Sequence, residues 1–126
     1  MESIPTKVIR ILLGLLLVVA GLGKFFPMGE PPAHNEVATA FMTGLVAAGY
    51  MMPLIALVEI FCGACFVAGR FVALAAVVLV PISLNIVLFH TMLDSSGAAP
   101  GLFVGAANLY LLAVSFPKYQ DMLMPK

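Results

Sequence analysis

Residues 51–69 read MMPLIALVEIFCGACFVAG, an apolar run of nineteen residues with one charged side chain, Glu59, near its middle. At about 1.5 Å rise per residue the run forms a helix roughly 28 Å long, close to a hydrocarbon core of about 30 Å. An ionised carboxylate at such a depth costs about 2.5–3.5 kcal/mol on insertion scales, so something must offset it. Two roles keep a carboxylate there. Glu59 either relays protons at a functional site or sits protonated, hydrogen-bonded to a neighbouring amide that it joins across helices.

Working outward, three further apolar segments cover residues 8–26, 72–93 and 101–116. The chain of 126 residues is 63% hydrophobic, 10% charged and of net charge zero, a composition that points to lipid as its solvent. Four spans leave no room for a separate soluble domain. The scattered Lys and Arg form no basic stripe, which argues against a nucleic-acid partner. Lys7 and Arg10 before an apolar run ending near Ala20 and Gly21 also suit a secretory signal. The run continues to Phe26, however, and carries Gly14, Gly21 and Lys24 on one face, so it is read as the first span.

The expected fold is a single all-α domain over residues 1–126, a four-transmembrane-helix bundle with a short amphipathic helix between the first two spans. That helix is placed at residues 36–48, after a non-helical stretch containing Pro27, Gly29, Pro31 and Pro32. Asn35 suits its N-cap, Glu36 complements its dipole, and Val37, Phe41, Leu45 and Ala48 recur at helical spacing. Gly69-Arg70-Phe71 is too short for anything except an antiparallel hairpin of the second and third spans. Pro81 should weaken the hydrogen-bond ladder inside the third.

With four crossings, Lys7, Arg10, Arg70, Lys118 and Lys126 share one side, against Lys24 with Glu30, Glu36 and Asp94 on the other. The positive-inside rule then puts both termini in the cytoplasm, and a bacterial inner membrane is the expected location. Arg10, Gly14, Leu17, Gly21 and Lys24 follow a 4-3-4-3 spacing and share one stripe, where small residues allow a close neighbour. Counted from the outer helix ends, Glu59 lies roughly 13 Å deep, with Asn85 and Asn108 at about 10–12 Å. Three helices thus bring polar side chains to one level, with Lys24, His90 and Asp94 above. Either Asn is equally explained as an interhelical hydrogen bond.

The stretches Leu13-Gly14-Leu15, Ala20-Gly21-Leu22-Gly23-Lys24-Phe25, Glu59 with Gly63 and Gly69-Arg70-Phe71, and the run from Pro81 through Asn85 to His90 resemble the DoxX and DoxX-like membrane proteins. The resemblance implies a four-helix integral membrane protein with quinone-linked and redox-associated relatives, named for association with a thiosulfate:quinone oxidoreductase. Other relatives look like assembly or chaperone factors. The family's characteristic polar residues fall on Lys24, Glu59, Arg70, Asn85 and His90. Cys62 and Cys65 are outside that pattern.

Cys62-Gly63-Ala64-Cys65 spells a redox motif, but mid-helix residues three apart hold their Cβ atoms about 5–6 Å apart, too far for an undistorted disulfide. They are read as packing residues. His90 and Asp94, four apart, have the spacing for a hydrogen-bonded pair, and His34, Glu30 and Glu36 share their side, yet no tight metal-ligand motif exists. No cofactor motif is evident either; quinone is the cofactor that the resemblance suggests. A quinone site needs an apolar slot and one or two polar groups: Glu59 as proton relay, and Lys24, Asn85, His90 and Asn108 as candidate pocket residues. The expected function is a redox- or quinone-linked membrane subunit working with a catalytic partner. A non-catalytic assembly subunit, in a protein complex or homo-oligomer, is the alternative, and a small proton-coupled transporter the third reading.

Overall fold

The computed structural model describes residues 2–26 and 34–125. Glu30, Pro27, Gly29, Pro31, Pro32 and Lys126 lie outside the described residues, and with them the expected non-helical stretch. Everything regular among the described residues is helical. In chain order the elements are α1 (Ile4–Phe25), α2 (Glu36–Ala47), α3 (Met51–Ala68), α4 (Val72–Leu88) and α5 (Ala98–Val114). A π-helical turn, Phe89–Leu93, continues α4, and a 3-10 turn, Phe116–Tyr119, follows α5.

Local chemistry sets most of these ends. α1 begins four residues before its apolar stretch because the Ser3 side chain accepts from the Thr6 amide at 3.3 Å and Pro5 occupies the first turn. α2 starts where expected, Asn35 Oδ1 accepting from the Ala38 amide at 2.8 Å. α3 stops at Gly69, whose φ of 73° is left-handed, and the Gly69 and Arg70 amides both donate to the Cys65 carbonyl. Three residues later α4 sets off in the opposite direction, as the tight turn requires. α4 passes through Pro81 without ending, although the proline removes the amide that the Val77 carbonyl would normally meet.

α1 packs on α3, α3 on α4, α4 on α5, and α5 returns to α1. Inside this ring are Leu13, Leu17, Cys62, Phe66, Ala75, Ala76, Leu79 and Leu111. Leu12, Leu15, Val19, Leu57, Leu84 and Leu109 are exposed on its outside. Buried with the core are Arg10, Glu59, Ser83 and Asn108. Polar groups inside and apolar groups outside is the distribution a lipid solvent selects. Three helices, Ile4–Phe25, Met51–Ala68 and Val72–Leu93, are long and apolar enough to cross a membrane; Glu36–Ala47 and Ala98–Val114 are apolar but shorter.

The closest approach is between α1 and α3. A Cβ at Gly14 would lie 2.8 Å from the Gly63 carbonyl oxygen, and one at Gly63 would lie 2.7 Å from that of Gly14. Farther along, a Cβ at Gly21 would meet the Ala56 carbonyl at 2.8 Å. Side chains of Val18, Ile60 and Val67 also crowd these positions, but the carbonyl oxygens cannot rotate aside, so the stripe of small residues is a backbone-to-backbone contact. Gly63→Val should lower stability by about 3 kcal/mol or more through overpacking, whereas Gly44→Ala, on open space in α2, should be neutral or mildly stabilising. Thermal unfolding of the purified protein in mild detergent measures both; equal effects would contradict the backbone contact.

Candidate functional site

Gly21 brings the end of α1 against α3, and Lys24 follows one turn later on the same face. Helical side chains lean toward the N-terminus, so Lys24 reaches back into the bundle rather than outward. Its Nζ donates to Glu59 Oε1 at 2.6 Å and to the Ala20 carbonyl at 3.4 Å. Glu59 is 2% exposed and Lys24 partly exposed. The carboxylate is thereby compensated by a lysine, not by Asn85 or Asn108. A cation in the last turn of α1 also meets the negative end of that helix.

The pair stands on the wall of a cavity of about 630 Å³ between α1, α3, α4 and α2. Ile55, Ile82 and Ile86 make its apolar sides, and Phe41, Met42 and Leu45 of α2 face it from above. Its polar members are Lys24, Glu59, Asn85, His34 and His90. The Asn85 amide is turned onto its own helix, donating to the Pro81 carbonyl at 2.9 Å. His90 Nδ1 is buried and has no hydrogen-bond partner among the described residues. Phe89, edge-on to both His34 and His90 at ring-centroid distances of 5.3 and 5.2 Å, closes that end with Phe41.

The single polar layer drawn from helix depths divides in two. Glu59, Asn85, Lys24 and His90 share the cavity, but Asn108 does not line it. The Asn108 amide donates to Ser83 Oγ at 2.9 Å, a buried bond between α5 and α4. Depth places residues along a bundle and says nothing of which gap they face. Ser83, three residues from Val80 whose carbonyl it also bonds, gave no signal in the sequence beyond being polar.

The His90–Asp94 pair that the spacing permits is not formed. Asp94 has left the helix, with φ −151° and ψ 112°, so the four-residue spacing no longer brings the two together. Instead Asp94 Oδ2 meets His34 Nδ1 at 3.1 Å and the Asn35 amide at 3.3 Å, while Oδ1 accepts from the Ser96 hydroxyl at 2.6 Å and amide at 2.9 Å. Asn35 Nδ2 donates to the Leu93 carbonyl. These bonds fasten the start of α2 to the end of the π turn and hold α2 across the cavity. His90 turns toward α5, where only glycine leaves room: a Cβ at Gly101 would lie 2.7 Å from His90 Nε2.

Other candidates lie elsewhere. Arg70 is exposed at the α3–α4 turn. Cys62 and Cys65 are buried free thiols, and Cys62 Sγ donates to the Ala75 carbonyl at 3.5 Å. Among the described residues no three His, Cys, Asp or Glu side chains cluster as metal ligands. The sequence reading put His34 on the same side as His90 but not in this cavity, and it named none of the α2 side chains that line it, since the helix pattern does not say which gap a helix covers.

An all-helical ring with polar groups turned inward, and three helices of membrane-spanning length, defines an integral membrane protein. Residues 6–92 match the family model DoxX, and the chain belongs to the DoxX family. The match includes Lys24, Glu59, Asn85 and His90 and stops before Asn108. No curated protein and no solved structure matches the chain.

Two outcomes test this geometry. Lys24→Met leaves the Glu59 charge unpaired and should cost about 3–5 kcal/mol at pH 8, with most of the loss recovered by adding Glu59→Gln. Thermal unfolding of both variants decides it, since simple additivity would deny the pair. For Asp94, the Ser96 hydroxyl and amide foremost, helped by His34 and Asn35 and opposed by burial, hold the carboxyl well below the usual carboxylate range. A depressed folded value means its contribution is complete above the ordinary aspartate pKa of about 3.9, declines below it, and is gone beneath the folded value. The difference in melting temperature between wild type and Asp94→Asn should therefore hold from neutral pH down to about 5 and close in stronger acid.

Proposed function

We propose that the α2-covered cavity binds the headgroup of a lipophilic quinone and that the protein serves a redox partner in the membrane. The observation that carries this reading is a largely apolar cavity whose lining includes the Lys24–Glu59 pair and His90. A cavity of about 630 Å³ lies within the range of small-molecule sites, roughly 300–1,000 Å³. A quinone offers two carbonyl oxygens at opposite ends of a flat apolar ring. His90, whose Nδ1 has no partner among the described residues, would turn to donate to one, and Lys24, partly exposed, is the available donor for the other. The ring exchanges two electrons and two protons with its surroundings; Glu59, hydrogen-bonded to Lys24, accepts one of the protons when the quinol is oxidised and returns it when the quinone is reduced, and the other exchanges with water. In this reading the electrons come from or go to the catalytic partner.

The same reading takes α5 as a fourth crossing. It carries no charged residue, lies beside α4, and at about 1.5 Å per residue is roughly 26 Å long. Four crossings put both termini on the side rich in Lys and Arg, the cytoplasmic face of a bacterial inner membrane.

A second reading is a non-catalytic assembly subunit, in a complex with other proteins or with its own copies. One observation favours it: the ion pair satisfies Glu59 within the chain, as a structural pair does. Quinone binding separates the two. The protein purified from native membranes should carry extractable quinone, and the apo protein should bind decylubiquinone with an affinity that His90→Phe lowers about tenfold, the worth of one good hydrogen bond. Failure of both leaves the assembly reading.

A further inference from the structure

The opposite end of the bundle holds a second cavity, of about 620 Å³, that the quinone reading does not use. Arg10, 6% exposed, is among the residues that line it. Burial of a guanidinium in a membrane protein demands acceptors, and α3 provides them from its last turn. Nη1 donates to the Phe66 carbonyl and, at 3.4 Å, to that of Val67. The group is fixed in place by this, with its other edge toward the cavity.

On that free edge sits a carboxylate from the chain itself. Nε meets Glu2 Oε2 at 2.9 Å and Nη2 meets Glu2 Oε1 at 3.1 Å, two parallel bonds. This fork-to-fork geometry suits a carboxylate and a phosphate alike. Glu2 itself precedes α1, and its side chain is 36% exposed, so it is held by the arginine and little else. Glu2 is the more exposed partner of the pair, so it can swing into solvent while Arg10 stays bonded to the α3 carbonyls. A single carboxylate also fills only a small part of the space.

The remaining surroundings suit a larger anion with an apolar part. Lys118, on the 3-10 turn, adds a second cation to the lining. A chain of hydroxyls stands beside them: Ser3 Oγ donates to Thr6 Oγ1 at 2.8 Å, which lies 2.7 Å from the Tyr110 hydroxyl. Val72, Leu111 and Val114 line the side toward the bundle middle. With Glu2 swung aside, two positive charges and several hydroxyls face an open space whose other wall is apolar.

We propose that this cavity is a phosphate site, in which Arg10 is the fixed fork and Glu2 a built-in carboxylate that occupies it until a phosphate group displaces it. The phosphate belongs either to an anionic phospholipid, whose acyl part would lie along Val72, Leu111 and Val114, or to a free phosphate ion. This inference stands apart from the quinone reading, since none of its residues line the first cavity.

The test uses the full-length protein in mild detergent, with binding followed by the rise in melting temperature. The probes are dihexanoyl phosphatidylglycerol, inorganic phosphate, and dihexanoylglycerol as a phosphate-free control. Saturable stabilisation by phosphatidylglycerol but not by the control supports the site. Stabilisation by inorganic phosphate as well assigns it to phosphate from either source, and its absence assigns it to the lipid. Glu2→Gln should tighten binding about fivefold by removing the internal competitor, and Arg10→Lys should weaken it about tenfold by removing the fork. A purely structural Glu2 predicts the reverse, lower stability with no gain in affinity. That result, or no response to either phosphate probe, overturns the proposal.

Discussion

A carboxylate buried among helices that face lipid must be met by a cation or give up its charge, and here Lys24 meets Glu59 at 2.6 Å. The arrangement depends on how near α1 comes to α3. Gly14, Gly21 and Gly63 remove the side chains that would hold the helices apart, and their backbones touch. Only then does a lysine at the end of α1 reach a glutamate in the middle of α3. Bulk on that face would separate the helices, strand Glu59 and open the wall of the cavity at once. Packing and electrostatics are one constraint in this protein.

α1 repeats the device at both ends. Arg10 and Lys24 belong to one stripe, and each turns inward onto α3, the first to carbonyls of its last turn and the second to a carboxylate. Each cation borders a cavity. The one beside Lys24 is largely apolar and covered by α2, with His90 in its lining. The one beside Arg10 is rich in hydroxyls and already holds a carboxylate of the chain. Buried polar groups in a lipid-facing bundle are costly, and they are concentrated where the ring of helices leaves space.

Much of this was legible in the chain. The helix positions, the Asn35 cap, the α3–α4 hairpin and the inward stripe of α1 all follow from local patterns of polarity and small residues. Lys24, Glu59, Asn85 and His90 stood out because each is a polar group in or beside an apolar run, and the structure gathers them around one cavity. Partner choice was not legible. Asn108 shares their depth but faces Ser83 across a different gap. Asp94 has helical spacing to His90 yet binds His34, because the helix ends in a π turn that no residue pattern announced.

By itself the sequence determined the solvent, the helices and which side chains are too polar to be there without a reason. These are properties of short stretches, set by hydrophobicity, capping and the period of the helix. Only the tertiary structure decided which polar groups pair, that α2 covers a cavity, and that Glu2 lies on Arg10. Such matters depend on the rotation of each helix about its axis and on where a helix stops. Both are settled by backbone contacts between segments far apart in the chain, with a single glycine enough to change them.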